Sequence, residues 1–344
     1  MAQPSAAEAA AEVAAAHERI RGRVYRTPLQ RAVWLGPRVM LKLESEQVTG
    51  SFKARGAMNK VLSLTLEERA KGLITASTGN HALAVTNAAQ SLNDPDLRYE
   101  IVLPETASAA KVEHLRALGA PIRFHGKDCL LAEHEALRDA KDNGKLYISP
   151  YNDIKVLAGQ GTLAIELFEQ LQEQFNSQTL DAIFVPVGGG GLISGVAAHV
   201  KAVSPSTRVY GCNPKNDAHM ARCVAAGEMI EGDGYLEEGG NTLSDGTAGA
   251  AEHGSVTFPL CCELVDEWLE ITEEELGQAV VDMLEQHHKA VEGSAGLGIA
   301  GFRRKAAELE GKTVAIVVCG GNAKAHVMRD LLNKYLPAPT AESA

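Results

Sequence analysis

The sequence lacks several features that define other classes of protein. Its 344 residues contain no apolar run long enough to span a bilayer. Lysine and arginine (33) are outnumbered by aspartate and glutamate (44), and the net charge of −11 argues against a nucleic-acid or anionic membrane surface. Residues 1–23 have no basic leader and contain glutamates, so they predict an amphipathic helix from about Ala6 and no signal peptide.

The sequence also has little that would hold a metal or a disulfide framework. Its six cysteines show no C-x-x-C spacing and two of them are adjacent, which favours reduced thiols in a cytoplasmic protein. The histidines show no metal-ligand spacing, and we expect no metal site. No internal repeat and no low-complexity linker is present.

What the sequence does contain is an alternation of strand-like and helix-like runs in a composition typical of soluble globular proteins. Hydrophobic residues make up 45 % of the chain and charged residues 22 %. The alternation predicts an α/β fold with parallel sheets covered by helices. The predicted strands are residues 39–44, 73–77, 99–104, 122–125, 146–149, 182–187, 208–211 and 313–318. The predicted helices include residues 79–92, 109–118, 130–142 and 273–288.

Three segments follow predicted strands directly, at Ser77, Gly188 and Cys319. Ligands of open α/β sheets bind beyond the carboxyl ends of the strands. These three positions are therefore expected to converge on one cleft.

Lys53 lies in Ser-Phe-Lys-Ala-Arg-Gly-Ala, where a helix is expected to begin with Ser51 as its N-cap. The positive end of the helix dipole disfavours the ammonium form of a lysine at this position. A neutral lysine is a nucleophile and a base. The alternative is a solvated surface lysine.

The four consecutive glycines Gly188–Gly191, here called the glycine loop, can direct successive backbone N–H groups at an anion where a helix begins. The dinucleotide-binding pattern does not fit, because its third glycine would fall on Ser194. A plain tight turn is the alternative.

Together these motifs carry a family resemblance. Lys53, Ser77-Thr78-Gly79-Asn80-His81, the glycine loop, Glu292-Gly293-Ser294-Ala295-Gly296 and Cys319-Gly320-Gly321-Asn322 occur in this order. The set resembles the fold-type II pyridoxal-phosphate (PLP) enzymes, most closely the serine/threonine dehydratase and serine racemase family, from about Arg26 to Asn322.

The resemblance implies a two-domain, tryptophan synthase β-like fold. Residues 1–54 and 151–336 would form a large PLP-binding domain, residues 55–150 a small domain, and residues 337–344 a disordered tail. No regulatory domain of the family follows in this sequence, which favours a catabolic or racemase-type enzyme. The family is usually dimeric or tetrameric, so a homodimer or homotetramer is expected.

The resemblance also implies which residues bind the cofactor. Lys53 would bind PLP covalently, and Asn80 would contact the ring hydroxyl of the cofactor. Cys319 would lie beside the pyridine nitrogen. The alternative, a small cysteine buried in the core, is compatible with this role. Glu292 would lie near the cofactor, with an exposed surface glutamate as the alternative. The complete expected set is Phe52, Lys53, Asn80, Gly188, Gly189, Gly190, Gly191, Leu192, Glu292 and Cys319.

The substrate residues follow from the same resemblance. The α-carboxylate would be bound by Ser77, Thr78, Gly79 and His81, and Gly246 would line the cleft. Related serine racemases have a serine at the position of Thr78 as a second acid/base. Threonine keeps the hydroxyl group but restricts its rotation, which places racemisation in doubt without excluding it.

One position departs from a metal site found in the family. Asn213 replaces a glutamate ligand, and hard cations prefer charged oxygen ligands. Asp217 and His219 are the neighbouring candidate ligands.

The expected activity is β-elimination from a small hydroxy amino acid such as L-serine or L-threonine, giving a keto acid and ammonia. The alternatives on the same site are a serine or aspartate racemase and a 3-hydroxyaspartate dehydratase. A non-catalytic PLP-binding protein is a further alternative, against which the presence of Lys53, Asn80 and the glycine loop argues.

Overall fold

The computed structural model describes residues 3–176, 179–230 and 242–336. The tail expected at residues 337–344 lies outside these residues. The helices are α1 Ala6–Ile20, α2 Lys53–Ser63, α3 Leu66–Ala70, α4 Asn80–Ser91, α5 Ala109–Ala117, α6 Cys129–Asn143, α7 Ile154–Phe175, α8 Gly191–Val203, α9 His219–Ala226, α10 Thr257–Leu264, α11 Glu273–His287, α12 Gly293–Lys305 and α13 Ala325–Tyr335. The strands are β1 Leu29–Arg31, β2 Val39–Leu43, β3 Leu73–Ala76, β4 Tyr99–Leu103, β5 Ile122–Phe124, β6 Leu146–Tyr147, β7 Ala182–Pro186, β8 Arg208–Pro214, β9 Glu267–Ile271 and β10 Val314–Val318.

The larger sheet has six strands in the order β1-β2-β10-β7-β8-β9. Only β1 is antiparallel to its neighbour, β2; the other pairs are parallel. Strand β10 lies between β2 and β7, and every residue of its Val-Ala-Ile-Val-Val sequence is buried. A parallel sheet covered on both faces requires this kind of continuous apolar strand.

The smaller sheet has four parallel strands in the order β5-β4-β3-β6, all between residues 73 and 147. Helix α2 packs against both α4, which follows β3, and α7, which packs on α8 behind the larger sheet. Helix α2 therefore connects the two sheets, and its first residue is Lys53.

The α/β fold with parallel sheets covered by helices is confirmed. The prediction that Ser51 caps α2 is wrong, because the N-cap residue is Phe52. Ser51 instead pairs with Gly320 in a β-bridge and is completely buried. The long-range pairing with Gly320 therefore determines the conformation of Ser51, and the local preference of serine for an N-cap position does not.

Helix α7 is not among the predicted helices, although it is long. It is buried on most of its surface because it packs against α1, α2 and α8. Every residue from Val156 to Ala164 is buried, so the polar side chains of Gln160 and Thr162 occupy buried positions and interrupt the apolar pattern. Gly159 further obscures the pattern, but a Cβ there would lie 2.6 Å from the Arg55 carbonyl oxygen.

Four buried charges join β2, α2 and α7. Arg55 donates to both oxygens of Glu44 at 2.7 and 2.8 Å and to both oxygens of Glu166 at 2.6 and 2.8 Å. Lys42 donates to Glu166 at 2.7 Å. The two cations and two carboxylates balance, which is the condition under which charges are tolerated in a protein core.

Glu166→Ala should lower the free energy of unfolding by about 3–5 kcal/mol, because it leaves Lys42 and Arg55 with one carboxylate between them in the core. Urea denaturation of the two proteins measures the difference. Glu173→Ala is the matched control, since Glu173 lies on the same helix and its ion pair with Arg26 is exposed. That control should change stability by less than about 1 kcal/mol. Equal effects of the two substitutions would contradict the role of the buried cluster.

Candidate active site

Two distant segments, residues 50–52 and 319–321, pair through their main chains. The Phe52 N–H donates to the Cys319 carbonyl at 3.1 Å, and a second bond of 2.8 Å joins the other ends of the segments. Cys319 directly follows β10, and Lys53 directly follows Phe52. The pairing therefore holds the first residue of α2 beside the carboxyl end of the central strand of the larger sheet.

The amine of Lys53 is enclosed by this arrangement. Its Nζ donates to the Pro150 carbonyl at 2.7 Å and lies 5.2 Å from the centre of the Phe52 ring. Burial lowers the pKa of Lys53 to about 8, while the nearby Cys319 and Glu292 act in the opposite direction. A substantial fraction of the amine is therefore neutral near physiological pH.

The glycine loop lies against the residues that follow β6. A Cβ on Gly189 would lie 2.6 Å from the ring of Tyr151. Tyr151 directly follows Pro150, whose carbonyl accepts the hydrogen bond from Lys53. Gly190 is the N-cap of α8 and has φ +84°, a left-handed conformation that favours glycine. The hydroxyl of Thr257 donates to the Gly189 carbonyl at 2.7 Å and holds the loop from the other side.

Two helix N-termini in this region begin at a glycine. Gly79 is the N-cap of α4, as Gly190 is of α8. A glycine has no side chain with which to accept hydrogen bonds from the first turn of the helix, so the N–H groups there remain available to an anion. The site can therefore accommodate two separate anionic groups.

Asn80 is the first residue of α4 and reaches across to the larger sheet. Its Nδ2 donates to both carboxylate oxygens of Glu292, at 2.9 and 3.0 Å. Its Oδ1 accepts a hydrogen bond of 2.7 Å from Asn322, which also donates to the Thr49 carbonyl. Asn80, Glu292 and Asn322 thus form one network between the two sheets.

The alternative that Glu292 is an exposed surface residue is wrong, since only 8 % of it is accessible. Burial raises the pKa of Glu292 to about 7, and Asp245 raises it further while Asn80 opposes the shift. The carboxyl group can therefore take up or release a proton near neutral pH.

Cys319 is buried next to Glu292, with 4.0 Å between its Sγ and Glu292 Oε1. Burial, and to a smaller extent the charge of Glu292, raises the pKa of the Cys319 thiol well above its usual range. The thiol is therefore neutral and only a weak hydrogen-bonding partner.

The Ser77–His81 segment forms the turn from β3 into α4. Ser77 Oγ accepts the Gly79 N–H at 3.2 Å, and Thr78 Oγ1 lies 3.4 Å from the Lys111 amine. His81 is buried, which lowers its pKa to about 3, so the ring is neutral. Its Nε2 lies 2.9 Å from the Ile148 carbonyl and must carry the proton, because a carbonyl oxygen only accepts.

Gly246 lies beside the same network. A Cβ at this position would lie 2.8 Å from Ser294 Oγ and 3.7 Å from Glu292 Oε1. Leu192, in the first turn of α8, is buried in the main core. The structure thus brings Lys53, Asn80, Glu292, Cys319 and Gly246 together, with the glycine loop joined to them through Tyr151.

Sequence reasoning did not identify four residues of this region as site residues. They are Lys111, Pro150, Tyr151 and Asn322. Pro150 and Tyr151 follow a short predicted strand of the smaller sheet, so the strand-end argument applied to Ser77 could have found them. Lys111 lies on a helix surface, where no local pattern distinguishes it from other lysines.

Asn213 stands where the family has a glutamate metal ligand, and its surroundings offer few ligands for a hard cation. Within the described ranges, no three His, Cys, Asp or Glu side chains lie close enough to share a metal ion. Asn213 Nδ2 donates to the Val187 carbonyl at 2.9 Å, and an oxygen of Asp217 accepts the Gly249 N–H at 2.8 Å. A neutral amide oxygen binds Mg²⁺ or Ca²⁺ less well than the carboxylate it replaces.

Residues 20–320 match the family described as pyridoxal-phosphate dependent enzyme. The chain belongs to this family. It is therefore a PLP-dependent enzyme, as the order of its motifs predicts. None of the helices in the described residues is long and apolar enough to cross a membrane.

Relatives of known identity cover nearly the whole chain. An L-threonine ammonia-lyase of Thermotoga maritima is 37 % identical over 329 residues, which cover 94 % of this chain and 78 % of that protein. A serine racemase of Arabidopsis thaliana is 36 % identical over 89 % of this chain and 91 % of that protein. The solved structure of the processed threonine deaminase isoform 2 of Solanum lycopersicum superposes with a TM-score of 0.84 at 30 % identity, covering 96 % of this chain and 93 % of that one.

The residues of this PLP-dependent enzyme fit the cofactor. An amine with a lowered pKa is required for covalent attachment to an aldehyde, and Lys53 has one. A phosphate requires backbone N–H groups that nothing else caps, and the N-terminus of α8 offers them behind the glycine loop. A side chain on Gly189 would collide with Tyr151.

In the apoprotein, Lys53 should react with an amine-acylating reagent with a midpoint near pH 8, because only the neutral amine reacts and burial lowers its pKa. Peptide mass spectrometry across a pH series measures the labelled fraction. A blocked free lysine should titrate about 2 pH units higher. Glu292→Gln should lower the Lys53 midpoint further, since it removes a neighbouring carboxylate. A midpoint equal to that of the free amino acid would refute the enclosed amine.

Gly190→Ala should weaken the affinity for PLP roughly tenfold or more, because the substituted residue cannot keep the backbone conformation that directs the N–H groups at the phosphate. Fluorescence titration of the apoprotein with PLP measures the affinity. Gly227→Ala is the matched control, since Gly227 also has a positive φ, of +76°, but open space around its Cβ position. Both variants carry a similar backbone strain of about 1–2 kcal/mol, but only Gly190→Ala also places a Cβ 3.0 Å from Thr257 and Cys261, which displaces the loop. Equal PLP affinities in the two variants would contradict the assignment of the glycine loop.

Proposed function

We propose that this enzyme eliminates water from a small hydroxy amino acid such as L-serine or L-threonine and so produces a keto acid and ammonia. The observation that carries the proposal is the partly neutral amine of Lys53, which is buried beside the Pro150 carbonyl and the Glu292–Cys319 pair. The threonine ammonia-lyase of T. maritima and the threonine deaminase of S. lycopersicum support the substrate class.

Lys53 is the proposed base. When bound, PLP withdraws electrons from the amino acid and makes its α-hydrogen acidic. The Nζ of Lys53, freed when the amino acid takes its place, would take up the α-proton. That proton and the departing β-hydroxide together make up the water that is lost, and the remaining enamino acid would hydrolyse to a keto acid and ammonia. The glycine loop and Asn80 orient the reacting carbon against Nζ, which is the positional contribution to the rate.

The α-carboxylate is proposed to lie at the N-terminus of α4, within reach of Ser77, Thr78 and the N–H groups of the first turn. Gly79 leaves this helix end uncapped, and the dipole of α4 favours a negative charge there. Because His81 is neutral, it adds no charge to this subsite.

Cys319 is proposed to bias the outcome towards elimination. If the ring nitrogen of the cofactor lies beside Cys319, the neutral thiol would stabilise positive charge on that nitrogen far less than a carboxylate would. Weaker electron withdrawal favours prompt loss of the β-hydroxyl over return of a proton to the α-carbon. Racemisation requires that return.

A racemase is the second candidate, and the similarity to the A. thaliana serine racemase favours it. It requires a proton donor on the face of the substrate opposite Lys53. The hydroxyl of Thr78 is the candidate donor, since its oxygen is contacted by the Lys111 ammonium and its own proton remains free to donate.

The PLP-loaded enzyme should convert L-serine or L-threonine into keto acid, with little D-enantiomer. Incubation with L-serine, L-threonine and threo-3-hydroxyaspartate, with keto acid and D-enantiomer quantified in the same samples, tests this. The preferred substrate will identify the dehydratase. An excess of D-enantiomer over keto acid would favour the racemase over the dehydratase. If neither product forms, both candidate functions are refuted.

Lys53→Ala is the accompanying variant. It should lose at least about a hundredfold in turnover, because it lacks the general base. It should also lose the absorbance of covalently bound PLP. Turnover close to that of the unsubstituted enzyme would show that another group removes the α-proton.

A further inference from the structure

Lys111 brings a positive charge to the turn that precedes α4. It lies on α5, and its Nζ is 3.4 Å from Thr78 Oγ1. An ammonium group only donates hydrogen bonds, so the Thr78 oxygen is the acceptor. The charge of Lys111 therefore lies next to the uncapped N-terminus that begins at Gly79.

Among the described residues, Asp245 is the only carboxylate within 4.0 Å of this charge. Its oxygen lies 3.9 Å from Lys111 Nζ, but the same oxygen accepts a hydrogen bond of 2.5 Å from Lys324. Two ammonium groups thus share one carboxylate, and Lys324 makes the shorter contact. The three side chains have a formal charge of +1, and Lys111 makes the longer of the two contacts with Asp245.

Two of the three side chains, Asp245 and Lys324, lie beside the network around Asn80. Asp245 and Lys324 line a cavity of about 330 Å³ together with Glu292 and Asn322, which belong to the network around Asn80. Lys111 and Asp245 are partly exposed, with 32 % and 48 % of their side chains accessible. Part of the Lys111 side chain is therefore accessible to a ligand from solvent.

We propose that Lys111 binds a carboxylate of the substrate, together with Thr78 and the N-terminus of α4, and that Asp245 and Lys324 regulate how much of its charge is available. The proposal rests on the proposed amino-acid substrate. Two carboxylates fit the chemistry: the α-carboxylate of any amino acid and the side-chain carboxylate of a dicarboxylic hydroxy amino acid. Lys324 acts indirectly, because it competes with Lys111 for Asp245.

Binding of two amino acids without a β-leaving group tests the proposal. L-Alanine carries one carboxylate and L-aspartate two, and their affinities for the PLP-loaded enzyme are measured by calorimetry. Lys111→Met should weaken binding about tenfold, the usual contribution of a charge-assisted hydrogen bond at a partly exposed site. Equal losses for both ligands would assign Lys111 to the α-carboxylate, and a loss for L-aspartate alone would assign it to the side-chain carboxylate. Unchanged affinity for both would overturn the proposal.

The control variants separate binding from folding. Lys111→Arg should retain most of the affinity, whereas Lys141→Met, which removes an exposed lysine of α6, should leave it unchanged. A loss of affinity in Lys141→Met equal to that in Lys111→Met would overturn the proposal, because net charge alone would then explain both.

Lys324 provides the most specific test. Lys324→Met should weaken ligand binding several-fold when Lys111 is present, because Asp245 is then free to pair with Lys111. The same substitution should have no effect in a Lys111→Met background. Equal effects in the two backgrounds would overturn the sharing of Asp245. Because neither ligand has a β-leaving group, absence of elimination activity would not affect these results and would refute only the proposed reaction.

Discussion

The pairing of residues 50–52 with residues 319–321 is the constraint on which the site depends. It joins the start of α2 to the end of β10, the strand that lies between β2 and β7 in the larger sheet. Main-chain hydrogen bonds have narrow geometric limits, so they hold Lys53 beside Cys319 with little freedom. The buried ion pairs of Arg55, which is two residues or about half a turn further along α2, hold the same helix from its other side.

Burial of the ionisable groups at the site is the second feature that determines its chemistry. Burial moves the pKa of Lys53 to about 8, that of Glu292 to about 7 and that of His81 to about 3. All three shifts favour the uncharged form, as expected for groups removed from water. The cleft therefore holds a base, an acid and a neutral ring near neutral pH. Lys111, which we propose to bind a carboxylate, is more exposed, with 32 % of its side chain accessible.

Much of the fold was predictable because apolar periods and strand ends are local properties. The predicted strands at residues 73–77 and 313–318 lie within one residue of β3 and β10. The helix α7 and the edge strand β1 were not predicted, because α7 is buried on most sides and β1 is only three residues long. The expectation for Ser51 failed for a related reason, since a long-range β-bridge replaced the local cap.

The sequence by itself determined the family and the α/β class, and it predicted the residue types at the cofactor, because glycine-rich turns, a helix-terminal lysine and strand ends are encoded locally. Only the tertiary structure decided the states of these groups and their partners. Whether Glu292 is exposed or buried, which carbonyl accepts the Lys53 amine, and which carboxylate Lys111 shares with Lys324 depend on contacts between residues far apart in the chain. Burial and charge–charge distance decide protonation, and neither is a property of a short stretch of sequence.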